Sequence, residues 1–194
     1  MIGTVSAGCA ISAAALLVPS ISAAQASLLN LGACNSNTLS QPFSPWGDTS
    51  SYELAPGGDF EVGSAAWHLT GGAQLASGSE PFAATGTLGA SSLSLPAGSS
   101  AVSPTTCIDA AYPTVRFFVG GTGTLAVSVV YHGLAIPTGL AITAGDWTPG
   151  PVMTTLSPVF GLLSGGTAQV SIQLTALTGS PQVDDVFVDP WMRG

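Results

Sequence analysis

Beyond residue 50, apolar and polar side chains alternate with a period of two. In Leu125–His132 the odd positions Leu125, Val127, Val129 and Tyr131 are large and apolar, while Ala126, Ser128, Val130 and His132 lie opposite. Val170, Ile172 and Leu174 alternate in the same way with Ser171, Gln173 and Thr175, and Val115, Phe117 and Val119 with Arg116 and Phe118. A two-residue period places one set of a strand in the core and the other on the opposite face. The pattern predicts strands at 51–54, 66–69, 73–75, 92–95, 101–103, 114–119, 124–132, 140–143, 168–177 and 182–188. A hairpin is expected around Gly71-Gly72, a turn at Pro96–Ser99, and loop or edge over Pro151–Leu163. No stretch keeps a helical period for three turns. Short strands spaced by Gly, Pro and Ser turns indicate an all-β sandwich or barrel.

Charge is scarce and one-sided. The 194 residues carry 2 Lys+Arg against 10 Asp+Glu, a net charge of −8. The two are Arg116 and Arg193, so phosphate neutralisation is closed to this chain and nucleic-acid binding is excluded. A polybasic membrane-surface role fails for the same reason. Residues 1–26 read differently from the rest. The apolar run Ala10–Val18, Pro19, and then Ala24-Gln25-Ala26 match the apolar region and small-residue cleavage site of a secretory signal peptide. The run is shorter than the ~20 residues a membrane span needs, so no stable membrane insertion is expected. The alternative is a buried N-terminal helix. Cleavage after Ala26 leaves two cysteines, Cys34 and Cys107, which in an oxidising compartment most simply form one disulfide; two buried free thiols are the alternative. Residues 27–51 then form an irregular lead-in stapled to a body at 52–190.

Two acidic motifs stand out in so uncharged a chain: Pro56-Gly57-Gly58-Asp59-Phe60-Glu61 with Trp67 after it, and Val183-Asp184-Asp185-Val186. With Thr114–Val119 and Asp146-Trp147-Thr148 between them, their order and spacing resemble the calcium-containing jelly-roll carbohydrate-binding modules. The group meant comprises families four, nine and twenty-two, within the galactose-binding-like superfamily. The resemblance covers about residues 52–189. It implies an antiparallel β-sandwich of jelly-roll type and a structural calcium joining the loop after the first strand to the last strand. Glu61 and Asp184 then become the principal ligands, with Asp59 and Asp185 as adjuncts, and carbonyls or water complete the six to eight oxygens calcium takes. The alternative is that Glu61 and Asp184 accept backbone N–H bonds at strand ends.

In the sugar-binding relatives a concave sheet face carries the ligand. The positions of that face here are Arg116, Phe118, His132 and Gln173, with Trp147 either a stacking platform or a cap on the core. Catalysis finds no support. Histidines are His68 and His132, no Gly-x-Ser-x-Gly elbow is present, and Asp184 and Asp185 are neighbours on one strand. The sequence therefore points to a secreted, non-catalytic module for a glycan or cell-envelope component. A secreted structural or protein-interaction sandwich is the alternative, favoured by the apolar composition.

Overall fold

The computed structural model describes residues 38–62, 66–109, 113–155 and 167–189, together with Met1 and Gly3. The rest of the stretch read as a signal peptide, Cys34 and Arg193 lie outside the described residues. The chain divides into Met1–Ala33 and Cys34–Gly194, and the elements below belong to the second unit. Among the described residues they are one 3-10 turn, Ser44–Trp46, and ten strands: β1 Glu53–Leu54, β2 His68–Thr70, β3 Gln74–Ser77, β4 Ser91–Ser94, β5 Ser100–Val102, β6 Thr106–Asp109, β7 Thr114–Tyr131, β8 Leu134–Pro149, β9 Met153–Thr154 and β10 Thr167–Asp189.

All pairings between these strands are antiparallel, and three long strands organise them. β7 pairs with β10 over most of its length on one side and with β8 on the other. The far edge of β10 takes β6, β5, β4 and β1 in turn, from its N-terminal end to its C-terminal end. β2 extends the sheet beyond β5, and β3 extends it beyond β4. The sheet is continuous, yet both halves of β7 and β10 feed one core. Val115, Phe117 and Val119 lie in the same buried cluster as Leu125, Val127, Val129, Ile172, Leu174 and Val183. The sheet thus folds over on itself as a β-sandwich, and the predicted inward sets lie in this core, Tyr131 only partly buried.

The sequence pattern broke β7 and β10 where glycines interrupt the alternation. The chain instead bends there while staying paired, with Gly123 directly opposite Gly179. Both have positive φ, 144° and 69°. A Cβ on Gly179 would stand 2.1 Å from the Thr122 carbonyl oxygen, so only a glycine lets the two backbones approach this closely. The hairpin expected at Gly71-Gly72 is not one. β2 pairs with β5 and β3 with β4, so the glycines carry the chain from one pair to the other. β8 is far longer than 140–143, and His132 leaves the strand for the β7–β8 turn at φ 47°. β6 was not foreseen, and β9 falls inside the segment read as loop or edge.

Candidate functional site

The two acidic motifs meet. The loop after β1 clasps the end of β10 through backbone hydrogen bonds: Ala55 N donates to Val186 O at 2.8 Å and Val186 N to Gly58 O at 3.0 Å. A Cβ on Gly58 would lie 2.6 Å from the Val186 oxygen, which explains the glycine in this loop. Asp184 is fully buried. Its Oδ2 accepts from Ser79 Oγ at 2.7 Å and from Glu80 N at 2.9 Å, and its Oδ1 accepts from Asp185 N at 2.9 Å. Glu61 Oε1 accepts from Ala90 N at 2.6 Å and Ser91 N at 2.9 Å. A Cβ on Gly89 would touch both Glu61 Oε1 and Ser79 Oγ, so Ser79 stands between Glu61 and Asp184. Asp59 accepts at long range from Glu61 N, 3.5 Å away.

Glu80 is the member the sequence did not place here. It is 1 % exposed, and its carboxylate accepts from Phe82 N and from Ala84 N. Three buried carboxyls, Glu80, Asp184 and Asp185, therefore share one low-dielectric region with Asp59 close enough to be felt. Burial pushes the Asp184 carboxyl up to about 6, against the hydrogen bonds from Ser79 and Glu80. Burial pushes Asp185 higher still, aided by the charges of Asp184 and Glu80. Desolvation and like charge both disfavour ionisation. Arg116 is the one described Lys or Arg side chain, and it is engaged with Asp48. An all-oxygen donor set with excess negative charge suits a hard cation. Among the described residues no three His, Cys, Asp or Glu side chains converge as metal ligands, so carbonyls and water would supply much of any shell.

The expected binding face is corrected by the lead-in. Alternation did place Arg116 and Phe118 opposite the main core, but that face is covered too. Phe118 is fully buried and Arg116 only 8 % exposed. Phe43 stacks on Phe118 at 5.0 Å and meets Tyr52 and Phe187 edge-on at 5.1 and 5.6 Å. The Arg116 guanidinium lies 4.3 Å over the Phe43 ring; its Nε donates to Gly150 O, and it pairs with Asp48. Burial opposes the charge on Asp48, but hydrogen bonds from Tyr52, Ser50 and Arg116 outweigh it and hold the carboxyl below its usual range. Burial and the Asp48 hydrogen bond push the Tyr52 hydroxyl up to about 12. Neither Arg116 nor Phe118 is available to a ligand. They form the floor of something else.

On that floor stand two half-exposed rings. Trp46 is 38 % and Phe82 40 % exposed. Each packs on Phe118, at 5.5 and 5.4 Å, and they meet each other at 4.9 Å with planes 78° apart. Trp147, half-buried on β8, packs against the same cluster, its indole lying over Gly120 where a Cβ would clash at 2.9 Å. Of the five residues predicted to bind ligand, Phe118 lies beneath these rings and Trp147 packs against the same buried cluster. Gln173 lies half-buried in a row with Val102 and Ser128, and His132 is exposed at the β7–β8 turn with its ring against Tyr131. Trp46 and Phe82 were the residues missed. The signal was present in Pro45-Trp46 and Pro81-Phe82, where proline favours a turn and turns lie at the surface. Cys107 on β6 is not a free thiol, and its expected partner lies outside the described residues.

No protein-family model matches the chain, and no curated protein does. Among solved structures, the chain is similar to a family 6 carbohydrate-binding module from Clostridium stercorarium in complex with cellobiose. The match has 14% identity and a TM-score of 0.44 over 74% of this chain and 95% of that one. The C-terminal family 6 module of a laminarinase from Zobellia galactanivorans matches at 10% identity and TM-score 0.41, over 60% and 90%. A Clostridium thermocellum xylanase, comprising a family 22 module with its catalytic module and complexed with xylohexaose, matches at 16% identity and TM-score 0.45, over 64% and 26%. The sandwich assignment rests on the strand pairing and shared core described above.

Proposed function

We propose that this chain is a secreted, non-catalytic module that binds a glycan or other cell-envelope component. The observation that carries the reading is the half-exposed ring pair Trp46 and Phe82, standing on Phe118 in the buried aromatic layer that Trp147 also packs against. Rings on a rigid base offer a flat apolar face at little entropic cost, which suits the C–H face of a pyranose. Among the described residues no helix is long and apolar enough to cross a membrane. Glu80 is buried and committed to backbone N–H groups, which supports a non-catalytic role. A glycan array probed with the mature domain in calcium should give a reproducible signal without hydrolysis of the bound glycans. Silence across the array would end the glycan reading.

Two braces belong to this proposal. Calcium is held by Glu61 and Asp184, with Asp59 and Asp185 as adjuncts, and supplies the positive charge the cluster lacks. Cys34 and Cys107 form a disulfide that fastens the lead-in to β6. Non-reducing peptide mapping should recover the two cysteines as one linked species that separates on reduction; two alkylatable thiols would refute the staple.

A second reading is favoured by β8. Leu134, Leu140 and Ile142 are 65 %, 56 % and 81 % exposed on a strand whose only strand partner among the described residues is β7. Long apolar edges invite another chain, so a protein-interaction role is the outcome to adopt if the array is silent.

A further inference from the structure

We infer that the ligand surface is the corner between Trp46 and Phe82, and that it takes a single uncharged sugar unit of a soluble glycan. The inference rests on the glycan reading and narrows it. Geometry sets the width. Two rings whose planes stand 78° apart with centroids 4.9 Å apart make a wall and a floor. One ring can stack on a pyranose while the other stops the next sugar from lying flat beside it. A flat crystalline polysaccharide needs coplanar rings in a row, which this corner does not provide. Phe118 backs both rings, and Phe43 backs Phe118, so the corner is held rigid before any ligand arrives. The two rings come from separate turns. Trp46 comes from the 3-10 turn of the lead-in, whose Trp46 N and Gly47 N donate to Phe43 O and Ser44 O. Phe82 comes from the turn that Glu80 holds by accepting its backbone N–H.

Electrostatics set the charge of the ligand. Arg116, buried beneath the corner, is taken up by Asp48 and Gly150 O, so a uronate, sulfate or phosphate group would find no counter-ion there. The acidic groups nearby offer it no partner: Asp48 is paired with Arg116, and Glu80 and Asp184 are held within and under Phe82's turn. Those carboxylates do not recruit a cationic sugar either, because Glu80 and Asp184 are buried and hydrogen-bonded and Asp48 is already paired. What remains is stacking and exclusion of water, which act on neutral pyranoses.

The experiment is affinity gel electrophoresis and titration calorimetry of the full chain against three sets of probes. Soluble β-glucan, xylan and galactan are neutral, polygalacturonate and alginate are anionic, and polyglucosamine is cationic. At least one neutral glycan should bind more than about tenfold more tightly than either charged class, and insensitively to salt. Trp46→Ala and Phe82→Ala should each weaken it about tenfold or more, the size expected for losing one stacking ring. Trp46→Phe should restore most of the loss, which separates stacking from misfolding. Neutral binding unchanged in both alanine variants would overturn the corner and leave glycan binding in place elsewhere. Equal or salt-sensitive binding of a charged polymer, or adsorption to crystalline cellulose, would overturn the ligand class. No binding to any probe would remove both this inference and the reading beneath it.

Discussion

Phe43→Ala should destabilise the domain by about 3–5 kcal/mol, as much as truncating any ring of the main core. The expectation is unusual for a residue in an irregular segment that the sequence places outside the sandwich. Phe43 is fully buried, and four groups rest on it: Phe118 on its face, Tyr52 and Phe187 at its edges, and the Arg116 guanidinium above. Deleting the ring opens a cavity that these neighbours close poorly, because each is fixed to a strand or to a hydrogen bond. It also strips Arg116 of the apolar and π contact that makes its burial tolerable. In urea the transition midpoint should fall with the slope unchanged, and the melting temperature should drop on the order of 10 °C. A loss below about 1 kcal/mol would mean that residues 38–48 are a loose cover and that Phe118 is bare in solution. That result would return Arg116 and Phe118 to the list of ligand residues.

This contrast shows which parts of the molecule were legible in its sequence. The inward sets of β7 and β10 could be read directly, because a strand facing one core leaves a two-residue period. The meeting of Gly58 with Val186 was legible through the resemblance, since both halves of that clasp sit in recognisable motifs. The second buried layer was not. Arg116 and Phe118 alternate correctly, but alternation reports only which side of a strand a residue is on. Whether that side is wet depends on what lies over it, and here the cover is Phe43, from a stretch with no period of its own. Glu80 was hidden for a similar reason. Its carboxylate works within its own turn, on the N–H groups of Phe82 and Ala84, while its backbone N–H meets an Asp184 side chain 104 residues away. The continuous course of β7 and β10 was missed because glycine in a strand reads as a turn, whereas Gly123 and Gly179 serve a close approach between paired backbones.

Removing the proposed calcium should make the protein less stable at pH 8 than at pH 4.5, by on the order of 5–10 °C in melting temperature. The sign follows from the buried carboxyls. Asp184 and Asp185 have pKa values raised in the folded state, from 3.8 to about 6 for Asp184 and further for Asp185. Between the unfolded and folded values the native state holds more protons than the unfolded one, so stability falls as pH rises. The contribution is fully present below about pH 4 and is lost through pH 6 and beyond. Asp48 acts in the opposite sense, its stabilising charge being lost only as pH falls below the usual carboxylate range. The window of decline is therefore about pH 4 to 8. Calcium should abolish it by favouring the charged carboxylates, so that melting curves with the ion are flat or rise across that window. Asp185→Asn should flatten the decline in chelator, because it removes one of the titrating groups. Superimposable curves with calcium and with chelator would refute the cation; a flat curve in chelator would refute the strained cluster. Ligand binding should follow the same titration. The turn that presents Phe82 is tied through Ser79 and Glu80 to Asp184, so a brace that loosens at one end releases the aromatic corner at the other.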